Sequence, residues 1–412
     1  MYEPRRRDVL RAAGTLGLAS VASLGSARPT DGDLRLFSEV AVPDALEVSP
    51  QGNYAFVATG DGLGVVDWRN PGRPERVGTM TASDPAGGIL DAKVDGDLAS
   101  LASNGGPGVT LVDVSDPTDP TEITFYDAGH HIHNNFLADG YVYLIVNESG
   151  ETPFSEARTD VVDVRDPSEP EKVGEHRLGD DFPEFAAGGV SPCHDIYVQD
   201  DLLYQAFWDA GCVVADVGDP TDPRLVTQFG EAPKANTPMG DSFPRERYLT
   251  RPGNAHYVQP SPGGDLVYVG AETFPGGFVE APDNDDYGGI TIFDVSDPDA
   301  PEELARIVPP KADGFRTSHN FDVTANRLHA SWYDGGVTVH DVTDPESPEI
   351  RAGYRTEDTS FWGVESARGF TLASDIGGGL VVLHDDRGKK QSPGFFGGER
   401  PDDPGMGAAG RE

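Results

Sequence analysis

The stretch Gly108-Val-Thr-Leu-Val-Asp113-Val-Ser-Asp116-Pro117-Thr-Asp-Pro120 decides how this chain folds, because it is not alone. A glycine, a short apolar run and Asp-x-x-Asp-Pro recur along the sequence, at Asp163 to Pro170, Asp216 to Pro220, Asp294 to Pro298 and Asp341 to Pro345. Asp67-Trp-Arg-Asn70-Pro71 is a degenerate copy, and Gly379-Leu-Val-Val-Leu-His384 keeps the strand but has lost the turn. Copies lie 43 to 53 residues apart, apart from one gap of 78. Proline fixes φ and the aspartate can cap its own turn, so this repeated aspartate reads as structural rather than catalytic.

Each unit reads as four short strands. In one they are Glu303–Val308, His319–Val323, Arg327–Ser331 and Gly336–His340, runs rich in Val, Ile and aromatics bounded by Gly, Pro and Asp. Four strands per unit of this length, seven times over, predict an all-β, seven-bladed β-propeller spanning residues 34–386. Phase predicts how the ring closes. The chain enters on an orphan strand, Leu34 to Val42, and its last unit ends one strand short, so residues 34–42 should pair with 380–384 in the last blade. Closure of this kind hides the open sheet edges.

The same residues carry a resemblance. The G-(V/I/L)-x-(V/I)-x-D-V-x-D-P-x-x-P element is similar to the LVIVD repeat over about residues 34 to 385. That resemblance implies a β-propeller and leaves the activity open.

Outside the repeat, residues 1–27 have the character of a twin-arginine signal peptide: Arg5-Arg6-Arg7, an apolar Ala12 to Leu24, then Gly25-Ser26-Ala27 as a cleavage site. This predicts an extracellular or cell-surface protein with no membrane span once processed. Residues 28–33 read as a linker, and the Gly-, Pro- and charge-rich 387–412 as a disordered tail. Acid dominates, with 70 Asp+Glu against 31 Lys+Arg and a formal net charge of −39. Such a surface repels nucleic acid and excludes it as a general partner. Carboxylates spread along the whole chain fit solvation in high salt, which predicts a halophilic protein. The two cysteines of an exported chain, Cys193 and Cys212, favour a disulfide, with a role for Cys193 beside His194 as the alternative. Both should lie in the fourth blade near the same mouth, on the first and third strands, so a bridge requires one of them to be displaced.

Histidine supplies the candidate site. Counting back ten residues from the middle of each unit's second strand, or twelve where the turn is longer, gives Asp44, Asp91, His133, His194, His256, His319 and Trp362. The middle residues used are Phe56, Leu101, Tyr143, Tyr204, Tyr268, His329 and Leu372. One position per blade makes a ring at a channel mouth, and four imidazoles flanked by two carboxylates can converge on one ion. The expected ligands are therefore His133, His194, His256, His319, Asp44 and Asp91. Imidazole suits Cu, Fe, Zn or Ni, and no motif narrows the choice. Asn134, Asp195, Asn320, Glu148 and Glu272 are candidates to orient the rings. His131 is a further candidate ligand, and Trp208, Trp332 and Trp362 could stack on a substrate or pack blades.

The long insertions 147–159, 179–192, 230–253 and 272–288 leave on the histidine side, where a small molecule, polymer or surface protein could dock. If the protein is an enzyme, this chemistry suits a metal-dependent oxidoreductase or hydrolase. The competing readings are a repeated structural histidine that bonds within its blade, and a non-catalytic extracellular interaction module, monomeric in either case. No nucleophile elbow, phosphate loop or dinucleotide fingerprint is present.

Overall fold

A computed structural model describes residues 34–148, 154, 156–188, 192–230, 254–273, 288–312 and 314–385. Residues 1–27, read above as a signal peptide, residues 28–33 and the tail from 387 lie outside the described residues, as do most of the two longest insertions.

Seven four-stranded antiparallel sheets form the molecule. Six blades are consecutive in sequence, at 48–81, 89–127, 132–177, 193–230, 254–307 and 321–354. The first strand of each blade touches the first strands of both neighbours, around a closed ring. These innermost strands are β2 (Val48–Gln51), β6 (Ile89–Asp95), β10 (Ile132–Ala138), β14 (Cys193–Gln199), β18 (Asn254–Pro260), β22 (Phe321–Val323) and β26 (Phe361–Ala367). Blade seven is closed by the chain's first strand. There β1 (Leu34–Ala41) pairs antiparallel with β28 (Gly379–Asp385), from Leu34 opposite Asp385 to Ala41 opposite Gly379. The orphan strand fills the gap, as its phase predicted.

The repeat's chemistry explains its geometry. Asp113 accepts the amide of Ser115 and Asp116 that of Thr118, both at 2.9 Å, so each carboxylate closes its own turn. These hydrogen bonds hold both carboxyls below the usual range. The glycine that opens the third strand is required by close approach: a Cβ at Gly108 would lie 1.8 Å from the carbonyl oxygen of Tyr126. Apolar residues are buried between adjacent blades, as where Val57 and Val66 of blade one meet Leu372 and Val382 of blade seven.

Cys193 lies on β14 and Cys212 on β16 (Gly211–Asp216), both in blade four, and both are free and buried. β15 (Leu202–Phe207) runs between them, with Cys193 opposite Phe207 and Cys212 opposite Ala206. Cys193 packs toward Ile145 of blade three and Cys212 toward Val258 of blade five, so the sulfurs sit on opposite faces of the sheet. No helix among the described residues is long and apolar enough to cross a membrane.

Candidate metal centre

The innermost strands carry a shared irregularity at one mouth. In β10, β14 and β18 the pairing register shifts between Ile132 and Asn135, Cys193 and Asp195, and Ala255 and Tyr257. A bulge of this kind puts two consecutive residues opposite one partner and re-aims their side chains. His133, His194 and His256 sit at these shifts. His319 occupies the matching place before β22, its amide donating to Ser331.

The imidazoles meet. Ring centroids are 4.5 Å apart from His133 to His194, 3.9 Å from His194 to His256, and 4.6 Å from His256 to His319. The arc then runs into Trp362, 4.3 Å from His319. Trp208 stacks beside His194 at 6.5 Å, whereas Trp332 is buried within its blade and donates to Thr338. His131 is exposed outside the arc.

Two of the rings are oriented by acceptors. The Nδ1–H of His133 donates to Asn104 Oδ1 at 2.8 Å, and that of His319 to the Trp362 carbonyl at 2.9 Å. Each donation fixes the tautomer of its ring, and in His319 it leaves the Nε2 lone pair for another use. The Nδ1 atoms of His194 and His256 are buried and meet no hydrogen-bonding partner among the described residues. Burial drives both rings far below the ordinary imidazole value, with the neighbouring histidines adding to the effect. His319 is pushed down to about 3, again by burial. All three are therefore neutral at ordinary pH, as a metal ligand must be.

One carboxylate joins them. Glu272 ends the second strand of blade five and brings Oε2 to 3.4 Å from His256 Nε2. Atoms of His194, His256 and Glu272 all lie within 4.8 Å of one another. Burial raises the Glu272 carboxyl to about 8, and Tyr333 donates to its other oxygen at 2.8 Å. Tyr333 itself is held at φ 49, a conformation bulky residues rarely adopt. Its backbone is fixed there by hydrogen bonds from Gly336 and Phe361 to its carbonyl.

The two aspartates expected in the ring are not in it. In blade one Gln51 pairs with Tyr54, so the turn is only Gly52-Asn53 and no longer count applies. The residue in line with the histidines is Leu46, and Asp44 is exposed in the preceding turn. In blade two Leu98 pairs with Asp113, which makes Ser100, not Leu101, the middle residue of its strand. The matching residue is then Leu90. Asp91 lies one place further, bonded to Lys93 at 2.8 Å and accepting from Asn135. The ring thus reads Leu46, Leu90, His133, His194, His256, His319, Trp362.

The residues that follow, Glu47, Asp91, Asn134, Asp195 and Asn320, form a second tier that counting did not foresee as a unit. Lys93 Nζ approaches Asp91 Oδ1 at 2.8 Å and Glu47 Oε1 at 3.5 Å. Asn320 donates to Glu47 at 2.6 Å and Asn134 to Asp195. Burial pushes the Glu47 and Asp195 carboxyls up. Burial would lower Lys93, but Asp91, Glu47 and Asp195 outweigh it and raise the ammonium well above its usual value.

Fold and mouth together define a closed seven-bladed propeller with an imidazole arc across four adjacent blades. Three segments, 44–82, 87–128 and 192–230, match the LVIVD repeat, which is consistent with an LVIVD-repeat β-propeller. No curated protein matches the chain. Among solved structures it is similar to the Myceliophteria thermophila Cps50 (Swd1) β-propeller domain, at 12% identity and a TM-score of 0.58, covering 85% of this chain and 98% of that one. It is also similar to Kuenenia stuttgartiensis hydrazine synthase, at 13% and 0.58 over 87% and 99%. The WD40 repeats of RRP9 align at 8% and 0.57 over 86% and 97%. At such identities the likeness is one of fold.

Proposed function

We propose that this propeller is exported and holds a transition metal ion at the mouth of its channel, with His133, His194, His256 and His319 as nitrogen donors and Glu272 as an oxygen donor. The observation that carries the reading is the pair of buried Nδ1 atoms, on His194 and His256, with no partner among the described residues. A buried polar atom left unbonded costs about 1–3 kcal/mol, so two of them side by side are tolerated where something else binds them. Neutral imidazoles with one carboxylate suit Zn, Cu, Fe or Ni better than Ca or Mg, which prefer oxygen. Of the six ligands expected from sequence, Asp44 and Asp91 drop out and Glu272 enters.

At this mouth the chain's own residues supply a rigid donor set. Asn104 and the Trp362 carbonyl fix two rings, and Tyr333 positions Glu272. A bound ion would act there as a Lewis acid or a redox centre. The twin-arginine-like leader supports export, and the acidic composition supports a high-salt setting. The test is the metal content of the full chain purified without chelators, followed by titration of the stripped protein. About one equivalent of tightly held transition metal is expected. Protein that arrives metal-free and takes up neither Zn2+ nor Cu2+ overturns the reading and leaves the propeller as an interaction module.

A further inference from the structure

We propose that the mouth takes a small uncharged molecule with a flat aromatic body and one lone-pair donor atom. The donor is directed to the ion, and the body lies against the half of the ring that carries no histidine. The inference rests on the metal reading above and adds the class of molecule that shares the site.

The ring has two unlike halves. His133, His194, His256 and His319 come from blades three to six, whereas Trp362, Leu46 and Leu90 follow one another on blades seven, one and two. This second half offers two leucine side chains and an indole, none of them a metal ligand. All three pack on one apolar cluster with Phe315, Tyr333 and Ile376. At the mouth that cluster reaches the surface. Leu46, Phe315, Tyr333 and Ile376 keep 8–9% exposure, whereas Phe56, Leu63 and Val65 of the same cluster lie at 0–1%. Leu90 and Trp362 are only half-buried.

Wall and arc join at both ends. The Trp362 ring lies 4.3 Å from His319 and 6.1 Å from Tyr333. At the other end His133 bonds Asn104, whose amide donates to the Gly88 carbonyl, two residues before Leu90. His133 and His194 are half-buried as well, so imidazole, indole and leucine surface are accessible together.

The chemistry of the wall sets that of the ligand. A leucine side chain neither donates nor accepts a hydrogen bond, and the Trp362 carbonyl already accepts from His319 and from Ser331 Oγ. A charged or strongly hydrated body laid there would lose water without replacement. An aromatic body buries carbon against carbon and can pack edge or face on the indole. The formal net charge of −39 also discourages the approach of anions. An apolar wall beside a few polar groups that fix orientation is the usual make of a small-molecule site.

The experiment uses two probes with the same donor ring, imidazole and 4-phenylimidazole. Each is titrated by calorimetry into the full chain loaded with Zn2+, or with Cu2+ if the chain takes up only that. The phenyl group should tighten binding about 10- to 100-fold over imidazole, as burial of one aromatic ring implies. Leu90→Asn and Trp362→Ala should each bring that ratio to within about threefold of unity, since the apolar contact is gone. The ratio cancels whatever a substitution does to the ion itself, and either variant serves if the other does not fold. Equal affinity for the two probes, the result a wall covered by protein would give, overturns the inference. So does a ratio unmoved by both substitutions, or a metal-loaded chain that binds neither probe. In all three cases the metal reading stands. A chain that takes up neither Zn2+ nor Cu2+ would instead remove the metal reading, and the inference with it.

Discussion

The channel mouth and the blade interiors both bury neutral imidazole, and they treat it in opposite ways. Inside the blades each ring is satisfied by its own surroundings. His329 bonds Thr371 at 2.8 Å, His340 bonds Thr338 at 3.0 Å, and His176 lies between Gln205 and Asp181. At the mouth the rings touch one another instead, and two nitrogens meet no hydrogen-bonding partner among the described residues. Burial of histidine is therefore not the signal of a site here. The signal is burial without a partner, repeated on neighbouring strands.

The largest effect expected is the loss of the mouth's ion. Replacing His194 and His256 together with Ala should lower Zn2+ or Cu2+ affinity at least ~1000-fold by titration calorimetry, since each good ligand is worth several kcal/mol. Compared in the metal-stripped state, the variant should stay folded and lose about 2–5 kcal/mol from the vacated ring volume. A variant that unfolds, or that still binds tightly, would erase the contrast between the two regions.

Acid should act on the blades as well as on the mouth, where burial also lowers the rings. Burial lowers both His329 and His340 to about 4, from an ordinary value of 6.5. Between those values the unfolded chain binds protons that the folded chain refuses, so stability rises with pH through this window. It is fully present above about 6.5 and is lost progressively down to about 4, by roughly 3 kcal/mol per ring. Urea unfolding at stepped pH measures this. Replacing His329 with Gln should flatten the curve, and an unchanged slope would show that the ring is not held neutral.

The bare side of the ring offers a smaller test. Leu46 stands where blades three to six have histidine, and it is buried against apolar neighbours. Leu46→Ala should cost about 2–4 kcal/mol of stability and leave metal uptake intact. If metal uptake falls with it, the ring works as one structural unit and the division between arc and bare blades is false. Smallest of all, Thr371→Val removes the partner of His329 and should cost about 1 kcal/mol by thermal melts, with no change at the mouth.

The blades and the mouth also differ in how far the sequence reveals them. The Asp-Pro turns, the glycine before each third strand and the orphan strand at Leu34 are local signals. They specify strand phase and ring closure without knowledge of any distant contact. The four histidines were legible for the same reason, since blades three to six keep the count from strand to turn regular or visibly lengthened. Blades one and two misled by one or two residues, because Pro50-Gln51 continues a strand where a turn was expected and Leu101 lies one place past the middle of its own.

Hydrogen-bonding pattern repeats with the chain, so the sequence by itself determined the propeller, its seven blades and the arc of His133, His194, His256 and His319. Only the tertiary structure decided that Leu46 and Leu90, not Asp44 and Asp91, share that tier. It alone brought Tyr333 to Glu272 across 61 residues and gathered Glu47, Asp91 and Asp195 around Lys93. The physical reason is that a bulge moves a side chain by one position without any mark in composition, and contacts between blades depend on packing rather than on spacing along the chain.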